Sequence, residues 1–421
     1  MEKRTTALLL ALAAVFALGA NAAEPTGSKP EATVVSESAA ARTERVETTA
    51  APEAEGALAF DALEARMRES CYPLLALEEN IQTLADWDYQ RTEDELRDKL
   101  NGIADQQWAY LSVPGMGAMM SASLQPQYDA YREAFDNVRG GKLQADNEGV
   151  TRQLRNLQDQ TVIVGESLYI TLKELETRDA ALSRTIDALE RSEAELTLRE
   201  ELGQVSALTV RQVRAGRAQA ESGQATLRMN RDNILLQLKA MTGTALDEPL
   251  TLGALPQVTA EQLDAMALDA DLARAKEASY ELYDAQKTLS DAKEDYNDAL
   301  KQYGANSKKN EWMQAKHTYQ AAQYTYENAA QSYELKFRAL YAQIKDAAQA
   351  ADAKRAALAA EEAAYAASAL KHEQGSLSAN ALADAKDALA EAKDGALDAE
   401  RELFSQYRAY RWAVDYGILN G

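Results

Sequence analysis

Large side chains recur every seven residues on either side of one short turn, and that register limits the possible folds more than any other feature of the chain. Leu282, Leu289, Tyr296 and Tyr303 lead into the turn YGANSKKNEW, residues 303–312, and Trp312, Tyr319, Tyr326 and Tyr333 lead out of it. Ala285, Ala292 and Ala299 sit three places after the first three large residues, and Ala315, Ala322 and Ala329 repeat the offset beyond the turn. A strand reverses its face at every residue, so an odd period cannot hold a β face, whereas on an α-helix it draws one continuous seam. Seams that alternate bulky and small residues interlock, which predicts an antiparallel coiled-coil hairpin about the turn. An aromatic stripe at this spacing could also stack a ligand, but the alanine register accounts for the rings without one. The helix beyond the turn is expected to run from Glu311 to His372, about 90 Å at the usual rise per residue.

The chain also matches itself when slid by 172 residues. Leu168-Tyr169 falls on Leu340-Tyr341, Leu172 on Ile344 and Lys173 on Lys345. Without a gap, Gly203 then falls on Gly375, Val205 on Leu377, Ser206 on Ser378, Ala207 on Ala379 and Val210 on Leu382. An ungapped register of that extent predicts internal duplication. Each copy reads as a long helix, a turn, and a second helix running back. Gly203 and Gly375 are expected to end the outgoing helices in a left-handed conformation, and Ser206 and Ser378 to cap the return helices. In the second copy the seam resumes at Leu382, Leu389, Ala396 and Leu403, with Ala385, Ala392 and Ala399 offset by three. The return helices should close near Gly243 and Gly417.

Lys3 and Arg4 precede an apolar run from Ala7 to Leu18 and the sequence Ala20-Asn21-Ala22, the pattern of a secretory signal peptide over residues 1–22. Residues 23–56 are rich in Ala, Glu, Thr and Pro with almost no large apolar side chain, which predicts a disordered linker. Good helix formers dominate the chain beyond residue 56, and no apolar run there is long enough to span a bilayer. The expected fold class is therefore all-α, with long antiparallel coiled-coil hairpins in two tandem structural repeats and little or no β. The repeats are placed at 57–245 and 260–421, with a linker over 246–259.

With 67 acidic against 45 basic residues and a net charge of -22, nucleic acid is excluded as a partner. Cys71 is the single cysteine, so no internal disulfide can form. His317 and His372 lie in helical contexts without a further ligand at metal spacing. Nucleophile elbow, phosphate loop, dinucleotide fingerprint and calcium loop are all missing, so the sequence offers no catalytic residues, metal site or cofactor site, and the chain is expected not to be an enzyme.

The paired turns carry a family resemblance. Arg199, Gly203 and Ser206 in the first copy, and Lys371, Gly375 and Ser378 in the second, fit a turn of the form Arg-Tyr-x-x-Gly-x-x-Ser/Thr. With these turns on duplicated hairpins, residues from Phe60 to Gly417 resemble the TolC-like outer membrane efflux protein family. The resemblance implies a homotrimeric α-barrel that conducts export across the cell envelope. It further implies that Arg199, Gly203, Val205, Ser206, Lys371, Gly375, Leu377 and Ser378 dock a periplasmic adaptor (membrane fusion) protein, which couples the conduit to an inner-membrane transporter. The chain would then be exported and lie in the cell envelope, at the outer membrane if the family behaviour holds.

Two departures qualify the match. Glu200 and His372 stand where the turn has Tyr, and Thr209 and Ala381 stand where an acidic residue often follows the turn glycine by six. The family also inserts two membrane strands into each repeat, yet YGANSKKNEW is too short for two strands of about 9–11 residues. The corresponding interval of the first copy contains SVPGMGAMMSASLQPQY, residues 112–128, which reads as a loop with an apolar tip. Its Met116, Met119 and Met120 could enter a membrane shallowly or grip a partner, or the loop could fold back over helix ends. A variant without the membrane barrel is implied. The rival expectation is a coiled-coil spacer or binding rod of the envelope that transports nothing.

Overall fold

The computed structural model describes residues 57–419. The signal peptide and the linker expected over residues 1–56 lie outside the described residues. Twelve helices build the described chain, and among the described residues the only extended pairing is a parallel bridge between Leu58 and Leu252. The chain is all-α, with no membrane strands among the described residues.

Helices α1 (Phe60–Ser70) and α2 (Tyr72–Ala85) are separated by one extended residue, Cys71, at φ −77° and ψ 109°. Pro73 near the start of α2 has no N–H to donate back, which favours a break at that point. Helices α3 (Tyr89–Leu111), α4 (Gly117–Ser123) and α5 (Gln125–Arg139) form a side hairpin. Helix α6 (Lys142–Glu201) then runs 60 residues to a turn, and α7 (Ala207–Met241) returns beside it.

After the short α8 (Ala260–Asp264), the second half opens in the same way. Helices α9 (Leu268–Ala278) and α10 (Tyr280–Tyr303) are broken by the extended residue Ser279, at φ −67° and ψ 119°. Helix α11 (Asn310–Glu373) spans 64 residues and α12 (Ala379–Tyr416) returns along it. At the usual rise, α6 and α11 are each about 90–95 Å long.

The seam around residues 303–312 is present as expected. Every large position from Leu282 to Tyr333 is buried or half-buried, and the rings of Tyr296 and Tyr319 stack across the hairpin at 5.6 Å and 20°. That register sets Leu289 level with Tyr326 and Ala292 level with Ala322. Large side chains therefore face each other, and between those layers buried alanines face each other, which lets the backbones approach.

The expected loop at 112–128 is a correction. Only residues 112–116 and Leu124 turn; Met119 and Met120 lie on α4, and Met116 is its cap residue. Ala118, Met119, Met120 and Ala122 are good helix formers, and Pro126 sits in the first turn of α5, where its missing N–H costs nothing.

Two apolar cores hold the helices together. Phe60, Leu63, Met67, Val162, Tyr169 and Leu238 form the first, which also takes in Phe404 and Trp412 from α12. Phe60 sits edge-on to Tyr169 and Phe404, with centroids 5.4 and 4.9 Å away. Leu272, Ala275, Leu282, Phe337, Ile344 and Tyr410 form the second.

Both return helices end against the helix breaks. Gly243 (φ +64°) is pressed on Ser70, where an added Cβ would lie 2.5 Å from the serine Cβ. Gly417 (φ +70°) is pressed on Ser279, where it would lie 2.2 Å from the backbone nitrogen. The breaks share a motif: Glu69, Tyr72 and Leu74 correspond to Glu277, Tyr280 and Leu282, at an offset of 208 residues. The excess of 36 over the 172-residue register reflects the longer insertion of the first half, which carries α3 to α5.

Candidate docking tips of the two hairpins

Each long hairpin reverses through the same backbone circuit. In the first, Gly203 N–H donates to Glu200 O at 2.8 Å, and Gln204 N–H to Arg199 O at 2.8 Å. In the second, Gly375 N–H donates to His372 O at 2.9 Å, and Ser376 N–H to Lys371 O at 2.9 Å. Gly203 and Gly375 have φ of +70° and +72°, so each supplies the left-handed residue that closes its helix. Nothing lies within 4 Å of a Cβ built on either glycine; the backbone conformation, not lack of room, requires glycine.

The capping serines complete the reversal. Ser206 Oγ accepts from Thr209 N–H at 3.3 Å and Ser378 Oγ from Ala381 N–H at 3.2 Å, each satisfying an otherwise orphaned donor. Val205 and Leu377 are half-buried beneath the turns, while Arg199, Gly203, Ser206, Lys371, Gly375 and Ser378 are exposed. The sequence-derived tip residues therefore divide into an exposed rim and one apolar support per turn.

The tips also differ. His372 occupies the position of Glu200, and its Nδ1 lies 2.8 Å from Leu377 O, which ties the second turn back to its helix. Arg199 is paired one turn back with Glu195. Around the first tip Leu198, Leu202 and Leu208 are all exposed, and around the second Leu370. Leucine is ordinary in helices, so these apolar contacts are invisible until the ends of the hairpins are located. Where the family turn carries an acidic residue, Thr209 instead shares a 3.1 Å hydroxyl contact with Ser206.

Between the hairpins, α6 and α12 are antiparallel neighbours joined by charge. Arg184 pairs with Asp394 and Arg191 with Asp387, and nearer the tips Asn380 Nδ2 donates to Glu195 Oε2 at 3.1 Å. At the far end of this seam Glu166, 4% exposed, receives three hydrogen bonds from Arg408 and one from Trp412 Nε1 at 2.8 Å. Burial opposes the Arg408 charge, and the bonds to Glu166 outweigh it, so the guanidinium is held above its ordinary pKa. Within the first hairpin, Glu193 accepts from Arg214 at 2.7 Å and lies 3.2 Å from Arg217, and its carboxyl is held below the usual range.

His317 is exposed on α11, and among the described residues no His, Cys, Asp and Glu come together as a metal-binding group. No helix of the described chain is long and apolar enough to cross a membrane.

No protein-family model matches the sequence, and no curated protein matches it either. Among solved structures, the chain is similar to the outer membrane protein VceC of Vibrio cholerae, with a TM-score of 0.48 and 12% identity over 84% of this chain and 95% of that one. It is similar to the CmeC outer membrane channel of Campylobacter jejuni, with a TM-score of 0.49 and 11% identity over 93% and 94%. The MtrE outer membrane channel of Neisseria gonorrhoeae gives a TM-score of 0.47 and 15% identity over 93% and 98%.

Proposed function

We propose that this chain is an export component of the cell envelope, a passive conduit built from three copies. Its two tandem repeats, 57–245 and 260–421, each contribute one long hairpin. Three copies would supply twelve long helices to a hollow coiled-coil cylinder. The exposed rims at Arg199, Gly203 and Ser206, and at Lys371, Gly375 and Ser378, would meet a periplasmic adaptor that connects to an inner-membrane transporter.

The observation that carries this reading is the pair of matching tips. Two reversals in one chain use the same left-handed glycine, the same two backbone bonds and the same capping serine, 172 residues apart. A single Gly-x-x-Ser turn is ordinary punctuation; two at equivalent ends of hairpins this long present a repeated rim suited to a symmetric partner. The charged seam between α6 and α12 supports a bore that changes width, because half-exposed ion pairs exchange with water at little cost.

Sedimentation of the purified mature chain tests the reading. A trimer is expected. A chain that stays monomeric at micromolar concentration overturns the conduit and favours the envelope spacer, a rival that gains from the lack of membrane strands among the described residues.

A further inference from the structure

The corner between α3 and α4 is where the chain is emptied of charge. Residues 106–128 contain no Asp, Glu, Lys, Arg or His, although a chain that is 27% charged would place about six charges in a run of that length. No other charge-free run between residues 57 and 419 is as long.

This stretch exposes large apolar side chains instead of burying them. Trp108 is 75% exposed and Leu111 55%, one turn apart at the end of α3. Met116 is 55% exposed and Met119 70%, one turn apart at the start of α4, and Val113 on the turn between them is 42% exposed. The corner itself is built and closed. Val113 N–H donates to Tyr110 O at 2.9 Å and Gly117 N–H to Val113 O at 3.0 Å, and a Cβ on Gly117 would fall 2.3 Å from Tyr110 O. Behind it, Arg97 over Phe135 and Lys99 over Tyr131 hold α3 to α5.

We infer that this corner is a shallow membrane contact, which seats Trp108, Leu111, Val113, Met116 and Met119 in the interfacial layer of an electrically neutral lipid surface. No charged residue lies within the run, so it can form no salt bridge with a protein partner. An indole together with thioether and aliphatic side chains suits the boundary between headgroups and acyl chains. The nearest charges on either side are Asp105 and Asp129, both acidic, in a chain of net charge -22. An anionic surface is therefore repelled, and apolar insertion is left as the source of binding. Depth is limited by α4, whose seven residues reach about 10 Å. The contact goes beyond the conduit reading and does not depend on it, because a monomeric spacer could dock in the same way.

Flotation of the full chain with phosphatidylcholine vesicles carrying brominated acyl chains provides the test. The chain should float and its tryptophan fluorescence should be quenched, with neither effect reversed by about 0.5 M salt. Trp108→Phe should float equally while losing part of the quenching. A variant carrying Leu111→Ser, Val113→Ser, Met116→Ser and Met119→Ser should bind at least about tenfold less with unchanged circular dichroism. The proposal is overturned by any of three results: no flotation, flotation and quenching that ignore these substitutions, or binding only to anionic vesicles. Loss of lipid-free self-association in the serine variant would assign the corner to a second copy and overturn it too. Flotation and quenching do not read the mass of the mature chain, so their failure is separable from failure of the conduit reading, which rests on the sedimentation of the unsubstituted chain.

Discussion

Gly203, Gly375, Gly243 and Gly417 share a left-handed backbone but answer to different forces. At the two tips a Cβ would meet nothing, so alanine would be penalised only by the conformation, about 1 kcal/mol for an L-residue in that region. At Gly417 the same methyl would lie 2.2 Å from Ser279 N and 2.3 Å from Ser279 Cα, both backbone atoms that cannot rotate away. Gly417→Ala should therefore destabilise by about 3 kcal/mol or more, and Gly203→Ala by only about 1, when both are followed by urea unfolding. Equal effects would mean that Ser279 yields and the break against α12 is soft. The residue scale also explains why the two tips tolerate different neighbours. His372 spends its Nδ1 on Leu377 O, whereas Glu200 at the matching place has no such bond to the turn, so the second reversal is the more tightly tied.

Helices here are specified by layers rather than by propensity alone. In the α10–α11 hairpin, layers of large side chains and layers of alanine alternate, and Ala292 and Ala322 are the buried small pair. Putting a leucine into such a layer must push the backbones apart or force an off-rotamer side chain. Ala322→Leu should cost about 1–3 kcal/mol, while leucine at the exposed Ala321 beside it should be nearly neutral, with thermal melting as the readout. Legibility in the sequence divides along the same line. The heptad seam, both tip glycines and both capping serines depend on residues within a turn or two of one another, so their spacing carries the signal. The matching motifs at Glu69 and Glu277 are hidden because 36 extra residues in the first half break the ungapped register. Helix α4 is hidden because Pro114, Gly115 and Gly117 read as loop, although the turn ahead of it is confined to residues 112–116. Pairs such as Glu166 with Arg408, 242 positions apart, have no local signature at all.

At the scale of the whole molecule, charge joins the two halves alongside the apolar core they share, and this makes stability sensitive to acid. Asp271 is buried, which alone would raise its pKa, but hydrogen bonds from Tyr410, Ala267 N–H and Arg274 outweigh burial and hold it below the usual carboxylate range. Glu78, Glu193 and Glu334 are lowered as well, by hydrogen bonds from Gln82, Arg214 and Lys276 respectively. Since the unfolded chain binds protons at these sites more readily than the folded one, their stabilisation is complete above the unfolded pKa values, about 4, and is lost as pH falls through the lower folded values. Melting temperature should accordingly be flat near neutrality and drop below about pH 4, less steeply in Asp271→Asn; a rise on acidification would contradict the assignment. The clasp of Glu166 with Arg408 and Trp412 joins α6 to α12 and so couples the two halves. Its partners are unequally buried: the Glu166 side chain is 5% exposed and that of Arg408 32%, with Glu64 a further 3.8 Å from the guanidinium. Glu166→Gln leaves a half-solvated cation that retains a second carboxylate nearby, whereas Arg408→Met strands a buried anion with Trp412 as its remaining donor. Removing a partner from a buried pair costs about 3–5 kcal/mol, so Arg408→Met should reach that range and Glu166→Gln fall below it. Urea unfolding of both single variants and the double variant would measure the asymmetry and the coupling. Two single variants within about 0.5 kcal/mol of each other would show that the clasp is solvated and that the halves are held by the apolar contacts of Phe404 and Trp412 instead.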